Sequence, residues 1–300
     1  MPIVLSDEVD QGTLAALVEA TFTHLDATSF GVLNRLTDDV AIDATTLTVE
    51  FDTMVAIRSG AYLCVDIEVV YVWDFNEATK TATIQRGMLG SIPSAHAAGA
   101  IVQIQPRVSN FDVLKELRNE VRSWPPDLFQ VGRLPLTFTS GVRSYDLAAS
   151  SLYRVLQVRR LSSVPRSVPV NVAGYHVDYN ADTGVYPSGK AIVFNDSCVS
   201  GTVEVVYAQP FTTDPWALTT GLTDVGLEPT MLDIPVLGAA SRLIREAPRT
   251  DTQPQGQARL AEEVPPGHKG STRVALRRET DARIAAEIRR LREKYPPRRQ

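Results

Sequence analysis

The chain is poor in the residues that most often announce chemistry. Only two of its 300 residues are cysteines, Cys64 and Cys198, far apart and in no C-x-x-C pair. Neither a disulfide framework nor a thiolate metal site is therefore expected, and both are read as buried thiols. Four histidines, His24, His96, His176 and His268, share no ligand-like spacing with one another or with the cysteines, and H-E-x-x-H does not occur. No metal site is expected from such a pattern. A G-x-S-x-G elbow is also missing, and Ser, His and Asp scattered along a chain do not make a triad by themselves. No catalysis and no cofactor are expected. There is no run of about 18 or more apolar residues, and no basic stretch followed by an apolar one in the first eight residues, so no membrane insertion is expected.

What the chain does have is ordinary globular composition, 44% apolar and 22% charged, over a length that suggests two or three compact units. Its net charge of -5 is unevenly placed. Residues 242–300 hold 15 of the 30 Lys and Arg and 8 of the 35 Asp and Glu, about +7, which leaves the first 241 residues at about -12. An acidic body carries a basic arm. That distribution argues against a general nucleic-acid binder, whose footprint is positive, and suits an arm that lies on an acidic partner.

Apolar spacing predicts a helix from Asp10, its N-cap, to about Ala27, with Leu14, Leu17, Val18, Phe22 and Leu25 on one face. From about Arg35 to Pro106 the pattern turns to strands separated by turn residues, as in a small antiparallel sheet or barrel. A helix over residues 111–124 follows, with Asn110 as cap and Pro125-Pro126 as stop. Strands return over 134–208, residues 209–228 read as loop, and residues 229–246 as a helix whose start Pro235 leaves open. Residues 247–272 have the composition of an extended linker, and 274–295 form a charged helix with a thin stripe at Leu276, Ile284, Ile288 and Leu291. The fold class is α+β: two antiparallel β units, a helical core and an extended helical C-terminal arm. Four segments are expected, an N-terminal helix and lead-in (1–33), a small β module (34–107), a core with a β insertion at 134–208 (108–247), and the basic arm (248–300).

Residues 184–190, "GVYPSGK", match the letters G-x-x-x-x-G-K of a phosphate-binding loop. A working loop needs a following Ser or Thr and a helix, whereas Ala191 and a strand follow here, so a hairpin connection is expected. Asp66 and Glu68 alternate along one strand and share a face, read as solvated or inter-subunit rather than as an acid–base couple. Trp73, Trp124 and Trp216 are read as packing anchors. Arg277, Arg278, Ile284, Ile288, Arg289, Arg290, Leu291, Arg292, Lys294 and Tyr295, with Arg298-Arg299 beyond, make the C-terminal helix the candidate docking surface. A protein groove is the favoured partner, and contact with nucleic-acid phosphates stays open. In the irregular stretch "QRGMLGSIPSAHAAGAIVQIQ" (85–105), Arg86, Gly87, Gly90, His96 and Gly99 form a structural loop in which His96 satisfies backbone groups left unpaired.

These residues also carry a resemblance. "DATTLTV" (43–49), "YLCVDIEVVYV" (62–72) and "TATIQRGMLGSIPSAHAAGAIVQI" (81–104) resemble a small β module of tailed-bacteriophage structural proteins, with Ser91 where threonine is usual and Ile92-Pro93-Ser94 as a further departure. The order and lengths of the elements after residue 107 are similar to those of adaptor proteins below the portal in phage necks. The resemblance implies a homo-oligomeric ring, commonly of twelve copies, assembled in the host cytoplasm and located in the virion neck. It would bind the portal protein and a downstream neck or tail protein, and would pass double-stranded DNA without sequence-specific contacts. Other phage parts, such as a tail terminator, baseplate or minor tail protein, share the module and stay open, as does a host-glycan binding module.

Overall fold

The computed structural model describes residues 12–25, 32–49, 57–139, 141–149, 151–161, 170–172, 174–195, 201–214, 216–244 and 268–296. The expected cap Asp10, the thiol Cys198, residues 162–169 of the expected strand region, Arg298-Arg299 and most of the linker lie outside them. The fold is α+β. The chain divides into two compact units, one of residues 1–123 with 213–283 and one of 124–212 with 284–300. This division runs along other lines than the four expected segments, because helices distant in sequence pack on one another.

The first unit begins with α1 (Leu14–Thr23), which buries Leu14, Leu17, Val18 and Phe22. The helix starts at Thr13 without a side-chain cap. Its first amides donate instead to main-chain carbonyls of a distant segment, Leu14 to Thr220 at 2.9 Å and Ala15 to Leu218 at 3.0 Å, which meets the unsatisfied donors of the first turn. That segment, expected as plain loop, also contains the short α3 (Leu222–Val225).

The β module comprises β1 (Val32–Arg35), β2 (Thr46–Thr48), β3 (Tyr62–Val65), β4 (Glu68–Asn76), β5 (Thr81–Gln85) and β6 (Ile101–Ile104). These form one antiparallel sheet in the order β1-β6-β3-β4-β5-β2. The sheet curls until the segments after its two edge strands meet in a bridge between Leu36 and Val49. Curling removes part of the exposed edge and encloses a core that includes Leu63, Val70, Val72, Ala82, Val102 and Ile104.

Helix α2 (Asn110–Arg122) is capped by Ser109 rather than by Asn110. Ser109 and Asp112 form a reciprocal capping box, and the Asn110 amide donates to Gln103 Oε1 at 2.9 Å. A 3-10 turn at Pro229–Met231 precedes α4 (Asp233–Leu243). Pro235 therefore sits in the first turn, where no intrahelical hydrogen bond is lost. The last helix, α5 (His268–Lys294), contributes residues 268–283 to this unit.

Glu120, on α2, is wholly buried. Arg242 of α4 reaches its Oε2 at 2.7 Å through Nη2, and Arg277 of α5 reaches the same oxygen at 3.2 Å. Gly238 faces it: a Cβ there would lie 2.5 Å from Glu120 Cδ. The missing side chain is what lets the carboxylate sit against α4.

The second unit pairs two antiparallel sheets. One has the order β10-β9-β13-β7 and the other β11-β12-β8, built from β7 (Gln130–Phe138), β8 (Ser144–Asp146), β9 (Arg154–Leu161), β10 (Val170–Asn171), β11 (Tyr175–Asp178), β12 (Ala191–Phe194) and β13 (Gly201–Gln209). A shared core holds Phe138, Leu147, Val158, Ile192, Phe194 and Val203. Strand β7 starts earlier than residue 134, because its breakers are accommodated. Pro135 lies on an edge strand, and the Tyr207 ring covers Gly132 from the facing position.

Gly238→Ala is expected to displace Glu120 from its two arginines and to lower stability by about 1–3 kcal/mol, the usual cost of overpacking, read by urea denaturation.

Candidate functional site

The irregular loop of residues 86–99 is built around one carboxylate. Glu68 opens β4 directly after the β3–β4 turn, where Asp66 takes a left-handed φ of 51°, and its side chain is fully buried. An unpaired charge there would be very unfavourable, so the loop's path is set by the groups that must reach it. Arg86 Nε donates to Oε1 at 2.7 Å and Nη2 to Oε2 at 2.6 Å, a bidentate pair. The amides of Gly87 and Ser94 add bonds of 3.1 Å each, and His96 Nε2 lies 2.9 Å from Oε2. The other ring nitrogen, Nδ1, lies 2.7 Å from Asp66 Oδ2. Arg86 also donates to the carbonyls of Ala41 and Ser94.

His96 therefore has another role than expected. Its main chain pairs in both directions with Val40, while its ring sits between two carboxylates. Burial alone would lower its pKa. The hydrogen bonds and charges of Asp66 and Glu68 outweigh that effect and raise it to about 9, so the ring carries both protons. For Glu68, burial pushes the pKa up, but Arg86, His96 and the two amides hold it down at about 2. The two carboxylates do not alternate along one strand, because Asp66 lies in the β3–β4 turn; both nonetheless meet His96, and Glu68 is buried rather than solvated.

The glycines serve the same path. Gly87, Gly90 and Gly99 have φ of 64°, 88° and 84°, and a Cβ on Gly87 would lie 3.0 Å from Pro93 Cδ. Ser91, where the resembling module has threonine, keeps the hydroxyl: it accepts from the Val69 amide at 2.9 Å and donates to the Met88 carbonyl at 2.8 Å. Leu89 takes φ 56° without being glycine, and its side chain is 66% exposed, as Ile92 is to 80%.

Along α5 the expected docking residues separate into two groups. Arg277 is committed to Glu120, Arg290 to Glu287 at 2.6 Å, and Leu291 is buried. Ile284, Ile288 and Tyr295 are half-buried, with Lys294 Nζ 5.6 Å from the Tyr295 ring centroid. Arg278, Arg289, Arg292 and Lys294 are exposed. Glu120, Gly238 and Arg242 were not singled out in the sequence. A lone glycine and a lone carboxylate on otherwise ordinary helices give no local signal of burial.

The "GVYPSGK" stretch belongs to the connection between β11 and β12, and Lys190 Nζ donates to the Leu152 carbonyl at 2.5 Å. Cys64 is buried, and burial pushes its thiol up to about 12. Of the three tryptophans, Trp124 and Trp216 are buried, whereas Trp73 is 56% exposed at the end of an edge-to-face row with Tyr71 and Tyr62. Among the described residues no group of three or more His, Cys, Asp or Glu is placed to hold a metal ion, and no helix is long and apolar enough to cross a membrane.

No family model matches this chain, and no curated protein matches it. A solved structure described as "Neck of empty GTA particle computed with C6 symmetry" is similar over 49% of this chain and 73% of its own, with 16% identity and a TM-score of 0.22. A likeness of that degree carries no argument about what this chain does.

The buried cluster has a pH signature. The contribution of His96 is complete below its ordinary value of 6.5 and is lost as pH rises through about 9. The contribution of Glu68 is complete above 4.5 and is lost as pH falls through about 2. Stability measured by chemical denaturation should therefore be greatest between these limits. Glu68→Gln should cost about 3–5 kcal/mol, as expected when one partner of a buried pair is removed, and should abolish the acid limb.

Proposed function

We propose that this chain is a structural protein of a tailed-phage particle, a head-to-tail adaptor that works by assembly rather than by catalysis. In this reading copies form a ring below the portal, bind a further neck or tail protein, and leave a channel through which double-stranded DNA passes. The copy number is the twelve that the resemblance implies.

One observation carries the reading. The motif residues that create the resemblance, Arg86, Gly87, Gly90, His96 and Gly99, fix a loop that holds Leu89 and Ile92 out at 66% and 80% exposure. A left-handed, non-glycine backbone costs on the order of 1–3 kcal/mol and persists where surrounding structure over-determines it. Here the expense yields two aliphatic side chains presented on a rigid tip, which is what an assembly contact needs. The charge split supports the same reading: an acidic body disfavours adhesion of DNA, and the exposed Arg278, Arg289, Arg292 and Lys294 suit an acidic partner.

A second reading, a host-glycan binding module, is favoured by the exposed Trp73 beside Tyr71 and Tyr62. Glycan-array binding that disappears in Trp73→Ala would support it over assembly.

The adaptor reading is tested by mixing the full chain with the portal of the same particle and measuring the mass of the complex by native mass spectrometry. A ring on the portal is expected. Leu89→Asp with Ile92→Asp should abolish ring formation while leaving the melting temperature within a few degrees, since both side chains are exposed. A chain that stays monomeric with its portal, or a ring indifferent to the double substitution, counts against it.

A further inference from the structure

The second unit contains a cavity of about 740 Å³, within the range of specific ligand sites. Its wall is formed by the chain before β7, by β9 and β11, and by the last turns of α5. Four aromatic side chains, Phe129, Tyr175, Tyr179 and Tyr295, line it, together with two arginines, Arg154 and Arg292. Asp127 is the one carboxylate among the lining residues. The Arg154 guanidinium lies 5.2 Å from the Phe129 ring centroid, and neither arginine is ion-paired with a carboxylate among the described residues. The cavity is thus apolar with a net positive wall, two arginines against one carboxylate, in a unit that itself holds 13 Lys and Arg against 8 Asp and Glu, about +5. It selects an anionic occupant that also offers aliphatic surface.

The chain itself contains such a segment. Residues 2–11, "PIVLSDEVDQ", place Ile3, Val4 and Leu5 ahead of Asp7, Glu8 and Asp10 and contain no lysine or arginine. We propose that the cavity binds this N-terminal segment of a second copy of the chain, with Ile3–Leu5 against the aromatic wall and Asp7, Glu8 and Asp10 toward Arg154 and Arg292. Such a contact joins two different surfaces of one chain. Its symmetry is heterologous, and repeated head to tail such a contact closes a ring when its rotation divides a full turn. The assignment to a second copy rests on the ring reading above, whereas the chemistry of the cavity does not.

Two differently isotope-labelled full-length preparations are mixed, one carrying a photo-crosslinking residue at Leu5, and cross-linked peptides are identified by mass spectrometry. Cross-links from residue 5 of one preparation to peptides containing Tyr179 or Tyr295 of the other are expected. Cross-links confined to the same copy, or absent from the cavity, overturn the proposal. In parallel, self-association of full-length variants is measured by sedimentation velocity. Arg154→Glu with Arg292→Glu should weaken it about tenfold or more, as should Asp7→Lys with Glu8→Lys and Asp10→Lys, and the combined charge swap should restore it. Failure of the swap to restore association overturns the pairing. If rings still form on the portal with both sets of charges reversed, this contact is wrong while the adaptor reading stands. If no ring forms on the portal in the unmodified chain, the adaptor reading fails first.

Discussion

A single carboxylate buried in the curled sheet, that of Glu68, governs the part of the structure that gives the molecule its surface character. An isolated charge in an apolar core would be far more costly than the whole margin by which a domain is stable. Every group that reaches Glu68 comes from the stretch after β5. The chain there cannot run straight to β6; it must turn at Gly87, return at Ser94 and bring His96 across the β3–β4 turn. A segment without regular secondary structure thereby acquires one defined path. The apolar tip at Leu89 and Ile92 is held by charge pairing beneath it rather than by packing around it.

The helical part of the same unit repeats this device with different members. Glu120 is as deeply buried as Glu68 and is again answered by arginines from remote positions, Arg242 and Arg277. Buried ion pairs contribute little net stability over apolar residues of similar volume, but each breaks badly when one partner is lost. Their effect here is to make particular helices and loops meet in one arrangement. The basic C-terminal helix is not simply an appendage: Arg277 closes one buried pair, and Leu291 is covered within the second unit. What α5 leaves for others is the smaller set of Arg278, Arg289, Arg292 and Lys294.

The second unit owes little to buried charge. Its core is aliphatic and aromatic, with Phe138 and Phe194 in edge-to-face contact at 4.8 Å. Its unbalanced cations sit at the rim of a cavity instead of inside a core, so they remain available to an incoming anion. The two units thus treat charge in opposite ways, one consuming it internally and one presenting it.

Periodicity makes most elements legible in the sequence. The apolar stripe of Leu14, Leu17, Val18 and Phe22, the alternation around Leu63 and Val70, and the strand after "GVYPSGK" all follow from local spacing, because helix and strand each repeat on their own period. Boundaries were less legible where tertiary partners override local signals. Tyr207 covers Gly132, an edge position tolerates Pro135, and Thr220 rather than a side chain closes the start of α1. The roles of Glu68, His96 and Glu120 were decided only by the tertiary structure. A carboxylate looks the same in sequence whether it faces water or two arginines, and its burial depends on which distant segments arrive beside it. The sequence alone determined the kinds of element, their order and the charge of the two ends; which charges were sealed inside and which were left to meet a partner was settled by packing, since only packing removes water.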